Sequence, residues 1–367
     1  MNRAPVHVVL PGDVDDPAAP SGGNSYDRRL CAGLAETGWA VHRITVAGPW
    51  PWPDRQQLNE LGAALDALPR DAVVLLDGLV AGAAPEVLEA AADRLRLVLL
   101  IHLPLADETG LAPVQAADLA ARERRAVQAA AVVVATSAAV GQRLTADHAL
   151  AAGRVQVAPP GVDPAPLTAP SPDGGRLVCV ASLTPRKGHD VLVEALATLT
   201  DLPWTLVCAG PQPGGGAFAD QVGHRLAGHG IADRVRLVGP LAAADLAALY
   251  AAADLLLLAS RAEPYGMVVT EALACGVPVL ASDVDGIPAA LGRAPDGALP
   301  GLLVPPGDPA ELAGALRRWL GDAAARNRLR LAAQGRRTTL TGWPDTVAAV
   351  GTALQAAGRS RGYRRTN

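Results

Sequence analysis

One pattern constrains this chain more than any other. Short apolar, β-branched runs alternate with Ala/Leu-rich helical stretches, and the series runs through twice. In the first series, strands are predicted at residues 6–10, 41–46, 73–76, 97–101, 132–135 and 155–157. Helices are predicted near 26–37 and 56–68, and in the later gaps. In the second series, strands fall at 177–181, 205–209, 235–238, 255–259, 279–281 and 301–304. Helices are placed at about 190–199, 219–228, 243–252, 268–274, 287–291 and 309–320. Apolar strands that alternate with helices imply a parallel sheet covered on both faces. Between the two series lies APPGVDPAPLTAPSPDGG, residues 158–175, dense in Pro and Gly and without period, which reads as a linker. The expected fold class is α/β with two Rossmann-like, doubly wound domains. Their ligands are expected outside the carboxyl ends of the strands, in a central cleft.

Length and composition agree with two domains, here 1–165 and 166–344: 367 residues is too long for one ordinary core, and half the residues are hydrophobic. The net charge of −4 gives no basic excess and argues against nucleic acid as partner. No apolar run reaches the ~18 residues of a membrane span. The opening MNRAPVHVVLPGD reads as strand and loop rather than a signal peptide. Cys31, Cys179, Cys208 and Cys275 stand far apart in apolar contexts without a CxxC pair, as buried free thiols of a reducing, cytoplasmic protein would. The basic sets Arg122, Arg124, Arg125 and Arg359, Arg361, Arg364, Arg365 have two readings: a solvated face, the more ordinary, or weak peripheral contact with a membrane.

Of 32 basic residues only one is lysine, Lys187. It lies in CVASLTPRKGHDVLVEALATL, where a strand ends, a turn carries Arg186, Lys187 and Gly188, and a helix begins. Paired cations at the carboxyl edge of the second sheet suit a diphosphate; alone they would also suit a solvated basic turn. The stretch SRAEPYGMVVTEALACGVPVLA repeats the geometry with acids: a buried strand, then Glu263 and Gly266 in a loop, then a helix from Met267 or Val268 with Glu271 in its opening turns. Free N–H groups at that helix start can receive phosphate oxygens. Carboxylates beside phosphates are better explained by hydroxyl groups, so a ligand with both phosphates and hydroxyls fits. In the first domain, Ser21-Gly22-Gly23-Asn24 follows the first strand, and His102 ends the strand LVLLIH. The glycine pair can admit a phosphate or sugar, or be a plain turn; it is not GxGxxG. His102 faces a crevice or is a satisfied core histidine.

The ordered set, Glu263 and Glu271 with seven residues between them, then ALACGVPVLASDVDGIP, with TPRKGHDVLVEAL, APPGVD and GLLVPPGDPAELAGAL, resembles the retaining glycosyltransferases of family four. The similarity is collinear from about residue 6 to 320. It implies the GT-B fold, a nucleotide-diphosphate sugar held by the second domain, and a last helix, about 345–358, that packs back on the first. On this mapping Lys187 and the backbone amides of Gly266, Met267 and Val268 contact the diphosphate, Glu271 takes the ribose hydroxyls and Glu263 the transferred sugar. Gly22 and Gly23 face the donor phosphate and acceptor, and His102 lies near the transferred sugar. The family's first diphosphate arginine is Ser182 here, with Arg186 as a candidate substitute; Asp285-Gly286 and Ala289 replace a Gly-Gly and its following Glu, and Pro160 an Asn. The reaction implied is retaining transfer to an acceptor hydroxyl of a small molecule, lipid or glycan. Neither cofactor nor metal is expected, because cations and helix-start amides meet the leaving group's charge. A weakly active nucleotide-sugar-binding protein, or an epimerase of the same fold, remains the alternative.

Overall fold

The computed structural model describes residues 5–17, 20–108, 110–151, 153–212 and 216–359. The chain divides into two compact units, one built on Gly22–Gly161 and the other on Val162–Gly342.

In unit 1 the order is β1 (Pro5–Pro11), α1 (Gly22–Glu36), β2 (Ala40–Val46), α2 (Arg55–Asp66), β3 (Val73–Asp77), α3 (Gly78–Ala83), α4 (Pro85–Ala91) and β4 (Arg96–Ile101). It continues with α5 (Pro113–Ala129), β5 (Val132–Ala135), α6 (Ala138–Asp147) and β6 (Val155–Val157). The six strands pair in parallel in the order β2-β1-β3-β4-β5-β6. β3 and β5 are buried along their whole length, as strands covered on both faces must be.

Unit 2 runs β7 (Arg176–Val180), α7 (His189–Ala197), β8 (Thr205–Ala209), α8 (Ala217–Gly228), β9 (Val235–Leu237), α9 (Ala243–Ala251), β10 (Leu255–Leu258) and α10 (Met267–Ala274). Then follow β11 (Val279–Ser282), α11 (Ile287–Leu291), β12 (Gly301–Val304), α12 (Pro309–Gly321) and α13 (Ala323–Arg337). Its six parallel strands lie in the order β12-β11-β10-β7-β8-β9. The fold class read from the sequence is therefore the one observed: two doubly wound α/β sheets.

The last helix, α14 (Trp343–Arg359), belongs to unit 1. Val347, Val350, Ala353, Leu354 and Ala357 enter one of its apolar clusters. Gly33 of α1 makes this contact close: a Cβ there would stand 2.4 Å from Val347 Cγ2. Thr346 ties the helix start to the chain by donating to the Pro159 carbonyl at 2.7 Å.

Two differences from the sequence reading have physical causes. α1 starts at Gly22 rather than near residue 26, so the glycine pair forms a helical first turn and not a plain turn. α13 was not anticipated, because its Ala/Arg-rich sequence carries few apolar residues. Asp322 starts it, accepting from the Ala325 N–H at 2.9 Å. Arg326, nearly buried, anchors it on the Trp319 and Leu320 carbonyls.

Candidate active site

Strand order fixes where ligand-binding loops converge. In unit 2, β7 and β10 are neighbours although their following helices leave toward opposite edges, and such a switch point opens a crevice at the carboxyl ends. The loops after these two strands carry the predicted residues.

After β7, Ser182 stands half-buried, and its carbonyl accepts from the Thr184 N–H at 2.9 Å. A single 3-10 turn, Pro185–Lys187, follows. Gly188, at φ 68°, turns the chain into α7; a Cβ there would meet the Ala259 carbonyl oxygen at 2.0 Å. Only glycine lets the loop press this closely on the end of β10. The two loops are stitched together: the Arg261 N–H donates to the Arg186 carbonyl at 2.7 Å, and the Arg186 guanidinium to the Ala262 carbonyl at 3.3 Å. Arg261 grips Asp190 with two hydrogen bonds, at 3.0 and 2.7 Å.

Within this frame Lys187 Nζ donates to Glu263 Oε2, and Ser260 Oγ donates to the same oxygen at 3.2 Å. The Lys187 and Glu263 side chains are 14% and 10% exposed, so this is a nearly buried ion pair. The Glu263 N–H donates to Asp285 Oδ2 at 2.8 Å and its carbonyl accepts from the Gly286 N–H at 3.0 Å. Asp285 thus braces the Glu263 loop, a role not read from its sequence position.

Gly266 caps α10 at φ 88°, where a Cβ would stand 2.6 Å from Ile287 Cδ1. The Val269 N–H turns back to the Gly266 carbonyl at 2.9 Å. The amides of Met267 and Val268 are the first of the helix and have no acceptor within it. One turn on, Glu271 accepts from the Tyr250 hydroxyl at 2.8 Å. Burial raises the Glu271 carboxyl above the usual carboxylate range, and the Tyr250 bond pulls it partly back. The structure therefore brings Ser182, Arg186, Lys187, Glu263, Gly266, Met267, Val268 and Glu271 to the edge where β7 and β10 end.

Unit 1 has its own switch point, between β1 and β3. α1, entered after β1, carries Asp27; β3 ends in Asp77; His102 follows β4 next door. His102 Nε2 lies 2.9 Å from Asp27 Oδ1 and 3.4 Å from Asp77 Oδ2. Gly23 lies under the imidazole, where a Cβ would meet Cδ2 at 3.2 Å, and the Tyr26 ring packs edge-on at 5.1 Å. Gly22 opens the same turn of α1. His102 is thus neither a plain core histidine nor isolated: two buried carboxylates hold it. Burial would lower its pKa, yet the Asp27 charge and hydrogen bond, with Asp77, raise it above the usual value. Asp77 is pushed up to about 7, by burial first and then by the charge of Asp27. Sequence reasoning missed both acids; the signal available was a lone Asp closing the apolar strand VVLLD.

The basic residues of α5 are engaged locally. Arg122 pairs with Asp118 at 2.8 Å, Arg125 with Glu86 and Glu89 at 2.6 and 2.7 Å, and Arg124 donates to the Asp147 carbonyl at 2.9 Å. These partners fit the solvated-face reading. Arg361, Arg364 and Arg365 lie outside the described residues. Among the described residues no helix is long and apolar enough to cross a membrane.

Residues 169–336 match the family model of glycosyl transferases group 1. The chain is 35% identical over 260 residues to a D-inositol 3-phosphate glycosyltransferase of Jonesia denitrificans, covering 65% of this chain and 60% of that protein. It is 35% identical over 251 residues to the protein of the same name from Kineococcus radiotolerans, covering 62% and 58%. The matches therefore span less than two thirds of those relatives' length. Among solved structures, sucrose-phosphate synthase from Thermosynechococcus elongatus superposes with a TM-score of 0.77 at 23% identity, covering 96% of this chain and 98% of that one. Anabaena HepE in complex with UDP-glucose gives 0.74 at 19%, covering 96% and 99%. Over residues 169–336 this chain is similar to the glycosyl transferases group 1, and its two six-stranded parallel sheets are those of the GT-B fold.

Proposed function

We propose that the protein is a glycosyltransferase that moves a sugar from a nucleotide-diphosphate sugar to an acceptor hydroxyl, with retention at the anomeric carbon. The observation that carries this reading is the edge of unit 2, where one cation, one helix start and two carboxylates converge at the ends of β7 and β10. Lys187 and the amides of Met267 and Val268 suit a diphosphate; Glu271 and Glu263 suit the hydroxyls of ribose and sugar. Lys187 has three donor hydrogens, so its bond to Glu263 leaves it able to reach a phosphate oxygen as well.

The chemistry follows from these roles. The bond between the anomeric carbon and the diphosphate oxygen breaks as the acceptor oxygen bonds to the same face of that carbon. The acceptor's proton passes to the departing diphosphate. Negative charge grows on that group toward the transition state, where a fixed ammonium and helix-start amides stabilise it most. Glu263 is already held by Lys187 and Ser260, which suits a group that orients the sugar rather than one that attacks it. His102, clamped by Asp27 and Asp77, is assigned to the transferred sugar.

UDP-sugars are the first donors to test, given the UDP-glucose complex of HepE, and D-inositol 3-phosphate is the first acceptor, given the relatives' name. The experiment is a donor-by-acceptor panel read by NMR of the product's anomeric proton, with and without brief exposure to chelator. Expected is a product with the donor's own anomeric configuration, made at the same rate in chelator. An inverted product, free epimerised sugar nucleotide, or activity that stops in chelator and returns with Mg²⁺ or Mn²⁺ would overturn this account. Donor binding without turnover across the panel would favour a nucleotide-sugar-binding protein.

A further inference from the structure

Beneath the Lys187 loop, three donor atoms meet that the transfer chemistry does not use. Cys179 on β7 and Cys208 on β8 are paired residues of the parallel ladder, so their side chains leave the sheet side by side on one face. His189, the first residue of α7, comes down on that face with Nε2 3.6 Å from Cys179 Sγ. One ligating atom from each residue lies within 4.8 Å of the others. The three residues are 0%, 2% and 1% exposed.

The spacing has a physical meaning. A tetrahedral zinc ion with Zn–S of about 2.3 Å and Zn–N of about 2.0–2.1 Å sets its sulfur and nitrogen ligands about 3.6 Å apart. Two thiolates and a neutral imidazole also cancel a divalent charge, so the assembly can be buried without a leftover charge. His189 Nδ1 is buried and has no partner, so the polar contact of the imidazole is made through Nε2, on the side of the two thiols. Two thiols and a histidine so disposed suit a soft or borderline cation and not Mg²⁺ or Ca²⁺.

We propose that Cys179, Cys208 and His189 form a buried zinc-type site that fastens the first turn of α7 to β7 and β8, and with it the loop carrying Lys187. Binding displaces one proton from each thiol, so two protons leave as the cation enters. The site is structural, separate from the proposed transfer chemistry, and stands whether or not the chain transfers sugar. Its ligands are enclosed, so the brief chelator exposure used above does not strip it.

The test is an anaerobic titration of the full chain with Co²⁺, which reports tetrahedral thiolate ligation through sulfur charge-transfer and intense ligand-field bands, combined with metal analysis of the protein as purified. Expected is one equivalent of tetrahedral cobalt, displaced by Zn²⁺, and a midpoint of unfolding that rises with Zn²⁺ concentration. Cys179→Ser and Cys208→Ser should lose the spectrum, while Cys31→Ser and Cys275→Ser keep it. Should the serine variants fail to fold, His189→Leu leaves both thiols in place, suits the apolar surroundings, and should weaken cobalt binding by at least about 100-fold. A purely octahedral cobalt spectrum, no binding, or binding unchanged in His189→Leu would overturn the proposal and leave an ordinary thiol–imidazole contact.

Discussion

Removing the charge of Lys187 should damage two properties at once, and the structure says how to separate them. Lys187 and Glu263 form one ion pair, and both side chains are nearly buried. Lys187→Met keeps the apolar stem and deletes the ammonium, leaving Glu263 with Ser260 Oγ and no cation in contact. A fully buried pair broken on one side costs about 3–5 kcal/mol and an exposed one about 0–1. At 14% and 10% exposure, roughly 2–4 kcal/mol of local stability should be lost. Adding Glu263→Gln removes the stranded charge and should restore more than half of it.

Ligand affinity should not follow the same course. If Lys187 holds a diphosphate, both the single and the double variant lack that charge. Each should bind nucleoside diphosphate about 30- to 1,000-fold more weakly, the equivalent of about 2–4 kcal/mol. A chain of two units need not unfold in one step, so stability is best read by hydrogen exchange on peptides spanning β7 to α7, and affinity by calorimetry with UDP. Two results would refute the reasoning: a Lys187→Met protein with local stability within about 0.5 kcal/mol of the parent, or a double variant that regains both stability and UDP binding. The second would mean that Lys187 serves only to neutralise Glu263.

Two further outcomes follow from the geometry. Gly188→Ala places a Cβ 2.0 Å from the Ala259 carbonyl oxygen at a positive φ, so the loop must move: expect a loss of about 2–4 kcal/mol and weaker UDP binding, with parent-like values in both assays counting against the loop packing. In unit 1, the fold raises the Asp77 pKa to about 7, so the native state binds more protons than the unfolded chain and stability falls as pH rises from about 4 to 7. Asp77→Asn mimics the protonated acid and keeps an acceptor for the Leu79 N–H, so it should be more stable than the parent at pH 8, by roughly 1–3 kcal/mol, and equal to it near pH 3. Urea unfolding across pH checks this, and an unchanged slope in the variant would contradict the buried carboxylate pair.

What the sequence revealed and what it hid differ by range. Strand positions were legible because a doubly covered strand such as the VVLL of 73–76 or the LLLL of 255–258 is a continuous apolar run. The glycines at 188 and 266 were legible because each sits between a strand and a helix, where a positive φ is needed. By contrast α13 is built mainly of alanine and arginine with only two leucines, so it does not read as a core helix, although Asp322 in front of it is an ordinary helix cap. The four cysteines are buried and free, as read, but Cys179 and Cys208 are far apart in the chain, and only the pairing of β7 with β8 makes them neighbours.

The same cause explains why candidate residues could be named from the sequence while the contacts between them could not. Lys187 and Glu263 are 76 residues apart and touch because β7 and β10 are adjacent in the sheet. His102 and Asp27 are 75 residues apart and touch because α1 follows β1, two places from β4 across β3. Each short motif records only which strand end it occupies; strand order decides which ends become neighbours. Alternation of strands and helices permits several such orders, and the residue pattern does not choose among them. A reading from motifs alone therefore assigned Lys187 to phosphate and Glu263 to sugar as separate tasks. The observed sheet makes them one ion pair, so each sets the electrostatic environment of the other before any ligand is considered.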